Sequence, residues 1–559
     1  MATMSGTPVI ILKEGSERSR GKDAQRSNIM AGRAVSDAVR TALGPRGMDK
    51  LLVDSIGDVV ITNDGATILD EIDVQHPAAK MLVQVAKTQD DDVGDGTTTA
   101  VVIAGELLKK AESLIEKKIH PTLIVKGYKQ ATDEAQKILR GIAEQIDLNN
   151  DEDLMKISRT ALNSKSVGGA RDIFAKIAVE ACKSIREDDG AVDIDMVSVI
   201  QKQGKALTDT AFIKGVVIDK EVVHPRMPLR VENAKLALLN AALEIKKTEF
   251  DAKIRISDPT AVQAFVDEEH QMLKRMVEKI RDAGANVLVC QKGMDDLAQH
   301  YLAQENILAV RRVKKSDMEK LAKSTGGRII NTIEELSPED VGSAGVVFEN
   351  KIGDEKLLYI EDCPMPKAVS VVIRGGSKYV TDEAERAIHD ALCVVRDVME
   401  DGQAVAGGGA PEIELAVRLK DFAESISGRK QLAVEAFADS LEIIPKTLAE
   451  NGGLDGIDIL AQLKEGHKKD GNPRIGVDVL AGKTGDLKQL GVIEPLGVKL
   501  QAIRSAAEAA ELILRIDDVI ASKALEGGDM PPGMPPGGMG GMGGMGGMGG
   551  MGGMPPGMM

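Results

Sequence analysis

Apolar residues recur at helical spacing from Gln25 to Leu43, through NIMAGRAVSDAVRTAL, and the pattern stops at Gly44-Pro45, which predicts a helix closed by its own breaker. LLVDS and DVVITND then read as two short strands around Gly57, ending in the turn Asn63-Asp64-Gly65. Helical spacing returns over 77–88, 97–117 and 122–145, so the first 150 residues predict helices with one hairpin. From about residue 195 the texture changes. VVIDKEVVHP and KLALLN are strand-like, NVLVCQ precedes the helical pattern MDDLAQHYLAQEN, and ILAVRRV precedes SDMEKLAKSTGG. Such alternation predicts a small α/β module over about 220–368. After VSVVIRGG and a long helix over 382–400, segments rich in Ala and Leu predict helices up to Leu525. The α/β module therefore reads as an insertion between two helical halves that pack as one domain.

Two further stretches complete the pattern. Asp258-Pro259 supply an N-cap and first helical position, followed by an apolar stripe of Val262, Phe265, Val266, Leu273, Met276, Val277 and Ile280 and a stop at Gly284. From Gly527 to Met559 the chain repeats GGM six times between Pro-Pro-Gly flanks. Glycine resists ordering and methionine offers adaptable apolar contacts, so this reads as a flexible, adhesive arm; prolines only at its ends would not hold a collagen-like triple helix.

Composition narrows the function. The 559 residues suffice for several domains, and 43% hydrophobic with 28% charged residues is a globular balance without the run of about 18 apolar residues that crosses a bilayer. PVIIL near the start is followed at once by Lys13 and Glu14, so it is neither a signal core nor an anchor, and a cytoplasmic chain is expected. A net charge of -16 and only 2% aromatic residues, with no Trp, oppose nucleic acid as a partner. Cys182, Cys290, Cys363 and Cys393 are scattered with no CxxC, which predicts reduced, buried thiols.

The chemistry concentrates in DDVGDGTTTA, residues 91–100, immediately before a helical pattern. If Thr97, Thr98 and Thr99 open that helix, their unpaired N–H groups and the positive end of the helix dipole face forward, and Gly94 and Gly96 let an anion approach the backbone. Phosphate fits there. Asp95 would repel it unless a divalent cation stands between them, which points to Mg²⁺ held by one carboxylate, phosphate oxygens and water. A plain acidic N-cap is the alternative, and no Walker-type loop is present. Asp64 at the predicted hairpin tip and LGPRG over 43–47 each read, alone, as turn chemistry. Asp390 sits at the edge of a buried helical stripe, costly unless used, with Arg386 as its local candidate partner.

Together, LGPRGMDK, TNDGATIL, GDGTTT, HDALCVVRD, VAGGGAPE and GVIEPLGVK, in that order and with a GGM tail, resemble the chaperonins over essentially the whole chain. The stretch IKKTEFDAKIRISDPTAVQAFVDEEHQMLKRMVEKI, which the bacterial type lacks, makes the resemblance one to group II, the archaeal thermosome type related to the eukaryotic cytosolic ring. The resemblance implies a multidomain α and α/β fold, with a mostly helical equatorial domain over 1–150 and 404–526 and a small intermediate domain over 151–219 and 369–403. It further implies an α/β apical domain over 220–368 with a helical protrusion near 246–280 as a built-in lid, and a tail over 527–559.

It also implies ATP and Mg²⁺. Leu43, Gly44 and Pro45 would lie beside the phosphates, Gly94, Gly96, Thr97, Thr98 and Thr99 would hold them, and Asp95 would carry the metal. Gly409 would sit by the ribose, with Asp478, Val479, Leu480 and Glu494 around sugar and adenine. Asp64 and Asp390 would orient the attacking water, and Lys165, which alone reads as a solvated surface lysine, would sense the γ-phosphate. The implied partners are identical or sister subunits in stacked rings and unfolded polypeptide clients, with no nucleic acid, no membrane and no separate lid co-chaperonin. Ala406 and Gly456 depart from the family, where Pro is frequent at both positions.

Overall fold

The computed structural model describes residues 16–53, 56–245, 259–365 and 367–522. The chain divides into two compact units. The described part of the smaller is an antiparallel pair, Ser16–Arg20 with Asp518–Ser522, in which Arg18 and Asp518 form an ion pair. The larger runs from Gly21 to Asp517 and is built on three main apolar cores.

The first core joins both ends of that unit. Helices Gly21–Arg40, Pro77–Val93, Thr97–Glu116 and Pro121–Ile142 pack with Ala410–Glu424, Arg429–Leu441, Ile443–Asn451, Gly456–Asp470 and Leu496–Leu514 around one continuous set of buried residues, among them Val39, Ile103, Leu107, Leu419, Phe437 and Ile503. Thr97–Glu116 lies at its centre. From Thr97 to Leu108 every residue but Glu106 is buried, so the helix is surrounded on nearly all faces. Tyr128 meets Phe437 edge to face at 5.6 Å while its hydroxyl donates to Leu107 O at 2.8 Å, so the buried ring keeps a polar partner.

The second core lies under a seven-stranded sheet in the order Leu308–Val310, Val287–Cys290, Arg230–Leu239, Gly342–Ile352, Glu355–Glu361, Gly215–Ile218, with Ile329–Ile330 also paired to Arg230–Leu239. The strands preceding helices Asp296–Gln304 and Lys315–Thr325 pair in parallel, as does Ile329–Ile330 with Arg230–Leu239, and the remainder pair antiparallel. Helix Pro259–Asp282 begins at the expected proline; of its stripe, Leu273, Val277 and Ile280 are buried against this core, Met276 partly so, and Val266 is half-buried. The side chains of Val262 and Phe265 lie outside the described residues, as do Asp258, residues 246–258 of the expected lid, the GGM tail and the N-terminal PVIIL. The third core packs helices Asp151–Leu162, Arg171–Ile185 and Lys378–Asp401 on a sheet of Val197–Gln203, Val369–Gly375 and Ala211–Ile213.

Three local expectations change. Asn63-Asp64-Gly65 is not a hairpin turn: Lys50–Val53 and Val59–Thr62 pair with their loop around Gly57, and Asp64 instead caps helix Gly65–Glu71, accepting from Thr67 N–H at 2.9 Å and Thr67 Oγ1 at 3.0 Å. An Asp before a glycine suits a turn and a cap equally, and Thr67 decides between them. Helix does not continue to Leu525, because it stops at Leu514 and the β-branched run DVIAS is a strand paired with Ser16–Arg20. Within VVIDKEVVHP only the first residues are strand, as the end of Gly215–Ile218.

Candidate nucleotide site

Two left-handed glycines bracket one carboxylate. Gly94, at φ 68°, ends helix Pro77–Val93 by donating its N–H to Asp90 O at 2.8 Å, and Gly96, at φ 76°, stands as N-cap of Thr97–Glu116. A side chain at Gly94 would strike Cys393, 2.4 Å from where its Cβ would sit, so the elbow is both left-handed and tightly walled. Gly96 offers no side-chain cap, so the first-turn N–H groups of the buried helix are presented outward. Asp95 accepts from Gly96 N–H at 2.6 Å, and Gln89 Nε2 holds the Asp95 carbonyl at 2.9 Å.

This elbow opens on a cleft enclosing about 1040 Å³ of empty space, its open mouth included. The cleft brings together Leu43, Gly44, Pro45, Asp95, Gly96, Thr99, Gly409, Asp478, Val479, Leu480 and Glu494, which the sequence reading had drawn from separate stretches. Gly94, Thr97, Thr98, Asp64, Lys165 and Asp390 are not on its lining. Thr97 and Thr98 are buried in the first turn, Thr97 Oγ1 lying 3.4 Å from Asp64 Oδ1. Sequence reasoning missed Lys499, Gly408 and the segment of Thr160, Asn163 and Ser164, all of which line the cleft. Gly408 and Lys499 were in view within VAGGGAPE and GVIEPLGVK, but nothing in the spacing set them apart. His467 holds two walls together, with Nδ1 2.6 Å from Glu414 Oε2 on helix Ala410–Glu424 and Nε2 2.7 Å from the Ile475 carbonyl on the strand leading to Asp478.

Behind the elbow lies an ionic cluster. Lys165 Nζ is 2.6 Å from Asp390 Oδ2 and 3.4 Å from Asp64 Oδ1, and all three side chains are at least nine-tenths buried. Lys165 is thus no surface lysine, and Arg386 is not the partner of Asp390: it pairs with Glu383 at 2.8 Å and donates to Ile61 O. Burial alone would lower the Lys165 pKa, but Asp390 and then Asp64 overcome it and raise it. Burial would raise Asp64, and Lys165 and the Thr67 hydrogen bonds overcome it to hold that carboxyl low. For Asp95, Lys165 and the Gly96 N–H help too little to offset burial. Packed round by protein although it faces the cleft, it is pushed up to about 7, first by burial and then by Asp390; Asp90 is pushed up to about 6 by burial, Asp64 and Asp390.

The donor set fits a hard divalent cation. Asp95 is a cleft-facing carboxylate with a single hydrogen bond, from its own neighbour, and its charge is disfavoured as things stand. Among the described residues the one cation on the lining, Lys499, is already engaged by Glu412 at 2.9 Å and Glu494 at 2.5 Å. No cluster of three or more His, Cys, Asp or Glu able to hold a metal unaided exists among the described residues, so the remaining oxygens would come from an anion and water.

A helical core that takes residues from 29–139 and 405–514, with a glycine-framed elbow opening on one cleft, goes with a family match: the TCP-1/cpn60 chaperonin family pattern matches residues 35–524, and the chain belongs to that family. Within it, the chain is 59% identical over 517 residues to thermosome subunit beta of Methanothermobacter thermautotrophicus, covering 92% of this chain and 95% of that one. It is also 59% identical over 528 residues to a thermosome subunit of Methanopyrus kandleri (94% and 97% covered) and 58% over 529 residues to one of Pyrococcus abyssi (94% and 96%). These likenesses place it with the group II chaperonins. Among the described residues no helix is long and apolar enough to cross a membrane.

Proposed function

We propose that this chain is the subunit of an ATP-driven, double-ring folding chamber that encloses unfolded polypeptides under a built-in lid, in the cytoplasm and without a separate lid co-chaperonin. The observation that carries the proposal is the uncapped N-terminus of the buried helix Thr97–Glu116, framed by Gly94 and Gly96 and opening with Asp95 onto one cleft. The N–H groups of Thr97, Thr98 and Thr99 hold the phosphates, and Leu43, Gly44 and Pro45 close over them from the end of helix Gly21–Arg40. Gly408 and Gly409 meet the sugar, and Val479, Leu480 and other aliphatic side chains receive the base. Asp95 would hold Mg²⁺, which when bound supplies positive charge against the phosphate oxygens.

Phosphoryl transfer to water is chiefly a matter of positioning and charge. Asp64 and Asp390, fixed by Lys165 on one side of the elbow, orient and polarise the attacking water. Because Asp390 rides on Lys378–Asp401 and Lys165 follows Asp151–Leu162, hydrolysis pulls on the third core, the intermediate domain of 151–219 and 369–403. That domain rocks the apical domain of 220–368 through glycine hinges at 375–376 and 402–409, against an equatorial base of 1–150 and 404–526. Phosphate release and client refolding in Asp64→Ala and Asp390→Ala check this: both activities fall together. Refolding that persists without hydrolysis would make the protein a passive holder of clients.

A further inference from the structure

Lys499 occupies a position that local rules disfavour twice. It lies in the first turn of helix Leu496–Leu514, where the dipole repels a cation, and its side chain is 6% exposed. A buried lysine is costly unless paired. Two carboxylates from different elements engage it. Glu412, in the first turn of the helix that begins after Gly409, lies at 2.9 Å through Oε1, and Glu494, on strand Ile493–Pro495, lies at 2.5 Å through Oε2.

The other Glu494 oxygen, Oε1, is turned to the glycine loop, 2.5 Å from where a Cβ on Gly407 would sit. A purely structural ion triad would bury both its acids. Here Glu412 is 1% exposed but Glu494 keeps 22% of its side chain open and lines the cleft. Lys499 therefore fixes one oxygen of a cleft-lining carboxylate, leaving the second as an acceptor at Gly407, next in the chain to the cleft-lining Gly408 and Gly409.

We propose that Lys499 is a positioning residue that sets Glu494 to accept hydrogen bonds from the sugar hydroxyls, making the cleft selective for ribonucleoside over deoxyribonucleoside triphosphates. The inference rests on the nucleotide reading above and adds a sugar-discriminating device to it. A site built around a hydroxyl donor rejects the analogue lacking it, because the acceptor is left unpaired.

Steady-state hydrolysis of ATP, 2′-deoxy-ATP and 3′-deoxy-ATP tests it. The wild-type assembly shows a KM about tenfold higher for at least one deoxy analogue, with kcat changed less than about threefold. In Lys499→Met the KM for ATP rises by about tenfold and the ratio between ATP and the analogue falls to within about twofold, while Lys499→Arg restores the ratio. Should Lys499→Met fail to assemble, Lys499→Met with Glu412→Gln removes the unpaired buried charge and gives the same reading. A wild-type ratio retained in either variant overturns the inference. So does wild-type protein that binds Mg·ATP yet ignores the sugar; wild-type protein that binds no Mg·ATP would instead sink the nucleotide reading itself.

Discussion

Asp95 carries the charge balance of the elbow. Burial, and after it the Asp390 carboxylate, raise its pKa to about 7 from an ordinary 3.8. A folded-state pKa above the unfolded one means that the nucleotide-free protein loses stability as pH rises from 3.8 through about 7, because the folded state holds the proton longer. A cation binding there must displace that proton below about pH 7 and none well above it. Calorimetry of Mg·ATP binding in buffers of different ionisation enthalpy should register proton release near pH 6 (about one unit below the raised pKa) and almost none near pH 8, with Asp95→Asn abolishing the difference. Lys165 gives a second prediction. Replacing it by Met leaves Asp64 and Asp390 buried without their shared cation, which costs about 3–5 kcal/mol, read as a lower urea midpoint together with lost hydrolysis. The Asp95 role is written in its own local motif, whereas that of Lys165 is not: Lys165 follows an ordinary polar stretch, and only the fold carries it to Asp64, distant in the chain, and to Asp390.

Between elements, the elbow depends on backbone that only glycine adopts cheaply. Gly96 combines φ 76° with Val498 Cγ1 at 2.9 Å from a would-be Cβ, whereas Gly284, at φ 81°, has nothing within 4 Å. Both alanine variants carry a left-handed strain of about 1–2 kcal/mol, measurable by thermal denaturation. Only Gly96→Ala also crowds the cleft wall, so it alone loses Mg·ATP binding by calorimetry. The glycine-threonine run was legible in the sequence because its chemistry is local, a helix start with nothing to cap it. The Asp64 cap was not, since Asn-Asp-Gly satisfies a turn and a cap alike and the choice is made by Thr67 and by Thr97 and Lys165 across the fold. The strand Asp518–Ser522 was likewise hidden behind an alanine-rich helix, because its partner lies at the opposite end of the chain.

At the scale of the whole molecule, one apolar core takes its residues from both 29–139 and 405–514, while residues 216–368 supply another. That sharing has a consequence. Residues 1–150 expressed alone would expose the faces of Val39, Ile103 and Leu107 that Leu419, Phe437 and Ile503 cover, so circular dichroism should show broad, non-cooperative melting restored to a sharp transition when 404–526 is co-expressed. The central claim, that Mg·ATP sits against the elbow, is tested most directly by electron cryomicroscopy of the assembled protein with Mg²⁺ and a non-hydrolysable ATP analogue at saturation. The account predicts phosphates against the N–H groups of Thr97 to Thr99 and a metal on Asp95; an empty cleft, or the analogue bound elsewhere, would contradict it.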